Sequence, residues 1–319
     1  MINPERIKKI LIIRFSSIGD IVLTTPIVRC LKQQLGAEIH YVTKDGMAQL
    51  LKHNPYIDKI HTIVENVKEV RDDLEEEDFD IIVDLHKNIR SKRLINFLRK
   101  PYYCFNKLNI EKWLLVNLKI NRLPKKHIVD RYFEAIAELG VVNDEEGLDY
   151  FLSPEEEEFR KYQCSKLGKY TAIVLGANYY TKRIPTDRIR QLVAEDPEAK
   201  YVLIGGKDVA DEGRELAKIP GVENTCGRLS IGQSAAMIKQ SQRVITGDTG
   251  MMHIAAAFKK DVISVWGNTV PEFGMYPYFG KYETNSKILE DKSLSCRPCS
   301  KLGYNKCPKG HFKCMMPTT

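Results

Sequence analysis

Residues 9–36 read KILIIRFSSIGDIVLTTPIVRCLKQQLG and contain one complete strand-to-helix unit. Lys9–Arg14 is a short apolar run that predicts a buried strand, and Ile21–Leu35 carries apolar residues at helical spacing and stops at Gly36. Pro26 falls in the first turns of that helix, where a missing amide donor costs least. The alternation continues outward. Strands are predicted at Glu38–Val42 and Asp80–Asp84, a helix at Tyr132–Leu139 ended by Gly140, and a linker at Asn143–Gly147. A second series opens with Ser153-Pro154 and four glutamates, which is a helix start with a cap, a proline at the first position and acids near the positive end of the dipole. Strands follow at Thr171–Leu175, Tyr201–Ile204, Arg243–Thr246 and Val262–Val265, with helices between them. Such alternation is the signature of βαβ units and a parallel sheet. The expectation is an α/β chain of two Rossmann-like domains, residues 1–150 and 151–319, facing one another across a cleft with ligands at the carboxyl ends of the strands.

The bulk numbers agree with two domains. The chain has 319 residues, 43% of them hydrophobic and 29% charged, which excludes disorder, collagen and coiled coil. The longest apolar run near the start is Ile10–Ile13, too short for a signal-peptide core or a membrane span, so a cytoplasmic location is expected. The net charge of +7 is uneven. Residues 86–107 hold Lys87, Arg90, Lys92, Arg93, Arg99, Lys100 and Lys107 and no acid; 291–319 carry a net +5, leaving the remainder at −5. Two basic surfaces on an acidic body suit an anionic ligand or membrane surface better than nucleic acid, although a solvated helix face explains any single run. Cys30, Cys104, Cys164 and Cys226 are scattered and read as small hydrophobes. Cys296, Cys299, Cys307 and Cys314 form C-x2-C-x7-C-x6-C around His311, a spacing that would fit structural Zn²⁺, with reduced free thiols or a labile cluster as alternatives.

Three strand-to-helix corners carry the chemistry. After the first strand, Ser17, Gly19 and Asp20 offer a close backbone approach and a carboxylate, or merely a helix cap. The spacing there is not a dinucleotide fingerprint. At the second corner, Gly176 begins a small-residue loop that presents Thr181, Lys182 and Arg183, a chemistry suited to a diphosphate. The third corner runs from the strand Arg243–Thr246 into Asp248, Thr249 and Gly250, and a helix starts at Met251 with His253 in its first turn. Backbone amides, helix dipole and hydroxyl converge there on a phosphate-sized site, in which Asp248 is awkward unless it orients donors or caps the helix. Gly205-Gly206-Lys207-Asp208 could meet a ribose or be an ordinary turn.

With these corners quoted, the chain resembles the ADP-heptose:lipopolysaccharide heptosyltransferases of glycosyltransferase family 9. The resemblance runs through RFSSIGDIVLTTP, FDIIVDLHKNIRS, HIVDRYFEAIAELG, GANYYTKRIP, DTGMMHIAAAF, VWGNTVPEFG and the tail CRPC…CPKGHFKC. It implies the GT-B fold and transfer of heptose from ADP-heptose with inversion and without a catalytic metal. Position by position, it implies that Asp20 is the general base and Lys182 the donor-phosphate lysine. Gly176, Thr181, Asp208, Asp248, Thr249, Gly250, Met251 and His253 would line the donor side, and Ser17, Gly19, Lys87, Arg90 and Arg93 the acceptor side. Ile184 stands where the family often has an aromatic residue, and Met251 where it has leucine; both keep apolar character. The implied partners are an ADP-sugar, lipopolysaccharide core and the inner-leaflet surface, with no nucleic acid. Other readings are a different nucleotide-sugar GT-B enzyme, such as another core glycosyltransferase or a UDP-sugar epimerase, or a metal-tailed nucleic-acid module.

Overall fold

A computed structural model describes residues 3–316, and the chain forms two compact units. The first takes the residues up to Lys107 together with Lys126–Phe151; the second takes Leu108–Lys125 and everything from Leu152. Among the described residues the first unit has five strands: β1 Lys9–Ile13, β2 Glu38–Lys44, β3 Lys59–Ile63, β4 Ile81–Asp84 and β5 Tyr102–Cys104. They form one parallel sheet in the order β3-β2-β1-β4-β5. The second unit has β6 Thr171–Val174, β7 Tyr201–Ile204, β8 Val222–Asn224, β9 Arg243–Gly247, β10 Asp261–Trp266 and β11 Lys287–Glu290, again parallel, in the order β11-β10-β9-β6-β7-β8.

Both orders reverse once, between β1 and β4 and between β6 and β9. At such a reversal the flanking connections leave in opposite directions, and the strand ends open a crevice where ligands of doubly wound sheets bind. The central strands have helices on both faces, which is why their sequences are continuous apolar runs. Ile10, Leu11, Ile12 and Ile13 of β1 are fully buried, with Ile12 in register with Tyr41 and Val83.

Three boundaries differ from the sequence expectation. The first helix is two pieces, Ile18–Val22 and Thr25–Leu35, because Thr24 and Thr25 turn their hydroxyls back to the carbonyls of Ile21 and Val22 at 2.7 and 2.8 Å. Pro26 is the second residue of the second piece, and Gly36 ends it at φ 65°. The later helix runs Ile128–Ala135, with a 3₁₀ turn at Ala137–Leu139. Finally, the stretch 143–147 is not a free linker. The Arg29 guanidinium holds both carboxylate oxygens of Asp144 at 2.7 and 2.8 Å, the Gly147 carbonyl at 3.0 Å, and Asp149. The first unit therefore closes at Phe151, and Leu108–Lys125 packs with the second unit, so the division is not a single cut. The outermost residues of the expected domains, 1–2 and 317–319, lie outside the described residues. No helix among the described residues is long and apolar enough to cross a membrane.

Candidate active site

In the first unit the site is built at the ends of β1 and β4. Arg14 follows β1 and is buried; its guanidinium donates to the Leu85 carbonyl beyond β4 at 2.5 Å, to the Ser16 carbonyl at 2.9 Å and to Asp20 Oδ1 at 2.5 Å. One side chain thereby ties both strand exits at the sheet reversal. The Ser16–Ser17 peptide is cis, and Ser17 precedes the helix that holds Gly19 and Asp20. Ser17 donates to Asp20 Oδ2 from its hydroxyl at 2.7 Å and its amide at 3.2 Å. The Asp20 side chain, 24% exposed, thus caps its helix and neutralises a buried arginine while keeping an edge open to solvent.

Asp84, at the end of β4, organises the neighbouring loop. Its Oδ1 accepts from the amides of His86 and Lys87 at 2.9 and 2.7 Å, and its Oδ2 from the Ser91 hydroxyl at 2.7 Å. Lys87 adopts φ 49° and folds its ammonium back onto the Phe105 carbonyl at 2.8 Å, whereas Arg90 and Arg93 project to solvent from the helix Ile89–Leu98. The His86 ring packs at a tilt against Phe15, with ring centroids 5.0 Å apart. Burial, reinforced by the Arg14 and Lys107 charges, pushes its pKa down to about 3, so the ring is neutral. Its buried Nδ1 has no hydrogen-bond partner among the described residues. His86 lies within FDIIVDLHKNIRS, where its only sequence signal is a polar residue directly after a strand.

The second unit gathers its own polar residues at the ends of β6 and β9. Lys182 Nζ lies 2.6 Å from Asp248 Oδ2, and the same oxygen accepts from the Thr269 hydroxyl at 2.8 Å. Asp248 is therefore a counter-ion that orients Lys182, which accounts for a carboxylate beside a helix amino terminus. Gly247 makes the approach possible: a Cβ there would sit 2.0 Å from the Lys182 carbonyl oxygen. Thr249 caps the helix Gly250–Ala257, accepting from the Met252 amide at 3.3 Å and pairing with the Thr246 hydroxyl at 2.9 Å, so Gly250 and Met251 head the turn. His253 is buried on that helix. Gly176 packs against Gly205 and Gly206, and Asp208 is tied to Arg183 at 2.5 Å with its carboxylate half exposed.

Thr181 is where the site departs from expectation. Its hydroxyl is buried and exchanges hydrogen bonds with the Tyr304 backbone, accepting from the amide at 2.8 Å and donating to the carbonyl at 3.1 Å, so it faces the cysteine tail rather than a ligand. The tail is woven into the loops of Thr181 and Thr269. Arg297 donates to the carbonyls of Gly267 at 2.6 Å and Trp266 at 3.0 Å and pairs with Glu290 at 3.1 Å. The Cys299 amide donates to the Asn268 carbonyl at 3.0 Å, and Tyr180 stacks on Phe312 at 5.2 Å. Asn268 and Thr269 continue directly from that braced segment to the Asp248 contact. The role of Arg297 was missed because C-R-P-C directs the eye to the cysteines.

The tail thiols are neighbours. Burial, then Cys296, pushes Cys299 up to about 11, and burial, then Cys299, pushes Cys314 up to about 12. Cys296 Sγ lies 3.8 Å from His311 Nε2. Among the described residues, however, the only three metal-ligating atoms mutually within 4.8 Å belong to His40, His61 and Glu77. Those are already spent on one another and on cations: His40 bonds His61 at 3.0 Å and Glu38 at 2.7 Å, and Glu77 pairs with Lys9 and Lys59.

Two parallel doubly wound sheets, each with polar residues gathered at its reversal point, are the two-Rossmann arrangement of the GT-B fold. The chain belongs to glycosyltransferase family 9 (heptosyltransferase), whose sequence profile matches residues 67–305. It is 24% identical to lipopolysaccharide heptosyltransferase 1 of Campylobacter coli, over 90% of this chain and 94% of that protein. The fold is shared with the family 9 glycosyltransferase of Veillonella parvula (TM-score 0.74, 21% identity, 90% of this chain and 86% of that one). It is also shared with the E. coli heptosyltransferase WaaC solved with ADP (TM-score 0.67, 21% identity, 88% of this chain and 92% of that one) and with ADP-2-deoxy-2-fluoro heptose.

Proposed function

We propose that this heptosyltransferase uses ADP-heptose as donor and the lipopolysaccharide inner core as acceptor, inverting the anomeric centre without a catalytic metal. The observation that carries the donor half is the Lys182–Asp248–Thr269 arrangement beside the amino terminus of the helix Gly250–Ala257. An ammonium oriented next to the positive end of a helix supplies the charge that a metal gives in other diphosphate sites. An ADP-sugar donor is also what the ligands of WaaC suggest, and a lipopolysaccharide acceptor is what the C. coli relative's name suggests.

The reaction is a single displacement. The acceptor hydroxyl oxygen bonds to the anomeric carbon as the bond from that carbon to the diphosphate oxygen breaks. The hydroxyl proton goes to Asp20, and the leaving ADP is stabilised by Lys182 and the Gly250 and Met251 amides. Arg90 and Arg93 hold anionic groups of the core. Such an acceptor places the enzyme at the cytoplasmic face of the inner membrane. The test is a panel of ADP- and UDP-sugars with deacylated core oligosaccharide in excess chelator. Transfer from ADP-heptose at undiminished rate is expected; transfer from a UDP-sugar only, or a rate that returns only with Mg²⁺, overturns the proposal.

For the tail we propose that its four thiols take up a soft divalent cation such as Zn²⁺, which would draw the neighbouring donors together as it displaces their protons. Its role would be structural, bracing the loops of Thr181 and Thr269. Elemental analysis of freshly purified protein is expected to return metal equimolar with the chain, and none from the Cys296→Ser/Cys299→Ser variant. Metal-free protein with full ADP binding removes this role.

A further inference from the structure

We propose that Leu108–Lys125 docks the enzyme on an anionic lipid surface, with Ile110 and Trp113 entering the interface. The helix Asn109–Leu118 has one apolar side buried: Leu115 packs with Val270 and Phe273, flanked by Val116 and Leu123. A helix lying on a protein normally turns polar residues outward. Here the outward side carries Ile110, 73% exposed, Trp113, 56%, and Leu118, 54%, followed by Ile120 at 44%. Ile110, Trp113 and Leu114 recur at the i, i+3, i+4 spacing of one helical face.

The segment's charge selects the occupant. Lys112, Lys119, Arg122 and Lys125 stand against Glu111 alone, a net +3. Lys112 lies over the Phe273 ring and Lys119 donates to the Cys296 and Pro298 carbonyls, whereas Arg122 and Lys125 are exposed beyond the helix end. Tryptophan and aliphatic residues on one face with cations beside them are the composition of helices that lie in the headgroup region of anionic bilayers. A second copy of the chain would set these cations against one another. The inference rests on the reading of a lipid-anchored acceptor, since an enzyme whose acceptor stays in the bilayer works best when held beside it.

The chain has two tryptophans, and Trp266 is buried, so a change in emission on adding vesicles reports Trp113. The probe is the full-length chain with vesicles of phosphatidylglycerol and phosphatidylethanolamine that contain no acceptor, compared with phosphatidylcholine alone. With the anionic vesicles Trp113 emission is expected to shift blue and be quenched by brominated acyl chains. Partition should be about tenfold weaker on phosphatidylcholine, in high salt, and for Ile110→Ser or Arg122→Gln/Lys125→Gln. ADP binding by these variants should be unchanged, which shows that they are folded. An unshifted Trp113, or partition that Ile110→Ser leaves unchanged, overturns the proposal. Self-association through Ile110 and Trp113 in the absence of vesicles also overturns it and assigns the face to a second copy. Because no acceptor is present, failure here leaves the donor panel's result untouched, and failure of the panel leaves the vesicle result untouched.

Discussion

Asp20→Asn is expected to lower the turnover number by about 10²–10⁴, the range over which a positioned base acts, while ADP affinity stays close to wild type. The amide cannot take the acceptor's proton, but its size and its carbonyl oxygen preserve much of the contact with Arg14 and Ser17. The fold loses something as well. Arg14 is buried with Asp20 as its carboxylate partner, and replacing a charged acceptor by a neutral one beside a buried guanidinium should lower unfolding stability by about 1–3 kcal/mol. Turnover and melting must therefore be measured together. ADP titration of the variant is the decisive control, because ADP contacts are assigned to the second unit and Asp20 belongs to the first. Parallel collapse of ADP binding and turnover would make Asp20 a structural counter-ion.

Lys182→Met is the second large effect. Turnover should fall by about 10²–10³, as for removal of one preorganised donor to a developing oxyanion. Unlike Asp20→Asn, it should also weaken ADP binding, by about tenfold or more, the worth of one charged hydrogen bond. Part of that weakening has a second source. With Lys182 gone, Asp248 retains its contact with Thr269 but not its cation, leaving a carboxylate beside the diphosphate site. Lys182→Met/Asp248→Asn should therefore bind ADP more tightly than Lys182→Met, although turnover stays low. If the double variant binds ADP no better, Asp248 does not face the phosphates. Isothermal titration with ADP separates the two results.

What the sequence disclosed of the fold follows burial. Each strand predicted from its apolar run lies inside a sheet, whereas Lys59–Ile63, Tyr102–Cys104, Val222–Asn224 and Lys287–Glu290 are the four edges and were not predicted. An edge strand has a neighbour on one side only and keeps polar or exposed positions, so it lacks the continuous apolar run that betrays a central strand. At the site, the three corners were legible because a strand followed by Gly, Ser, Thr and Asp is a local signal. Their wiring was not. Asp248 finds Thr269 twenty-one residues away, and Arg14 reaches Leu85 across seventy-one. Thr181 looked like a ligand hydroxyl because nothing near it in sequence reveals that the Tyr304 backbone claims it. The 143–147 stretch looked like a linker for the same reason, since its anchor Arg29 lies more than a hundred residues earlier.

The reciprocal contact between Thr181 and Tyr304 also bears on how the chain is made. The two residues are 123 positions apart, so the Thr181–Lys182 turn leaves the ribosome well before the backbone that fixes it. At roughly 5–20 residues per second the delay is about 6–25 s. Through that interval β6 can pair and bury its apolar face, but the turn bearing Lys182 lacks its brace. The loop bearing Lys182 is thus completed only after Tyr304 has been made, and a nascent chain halted before Arg297 would carry a formed sheet whose Lys182 turn is not yet braced.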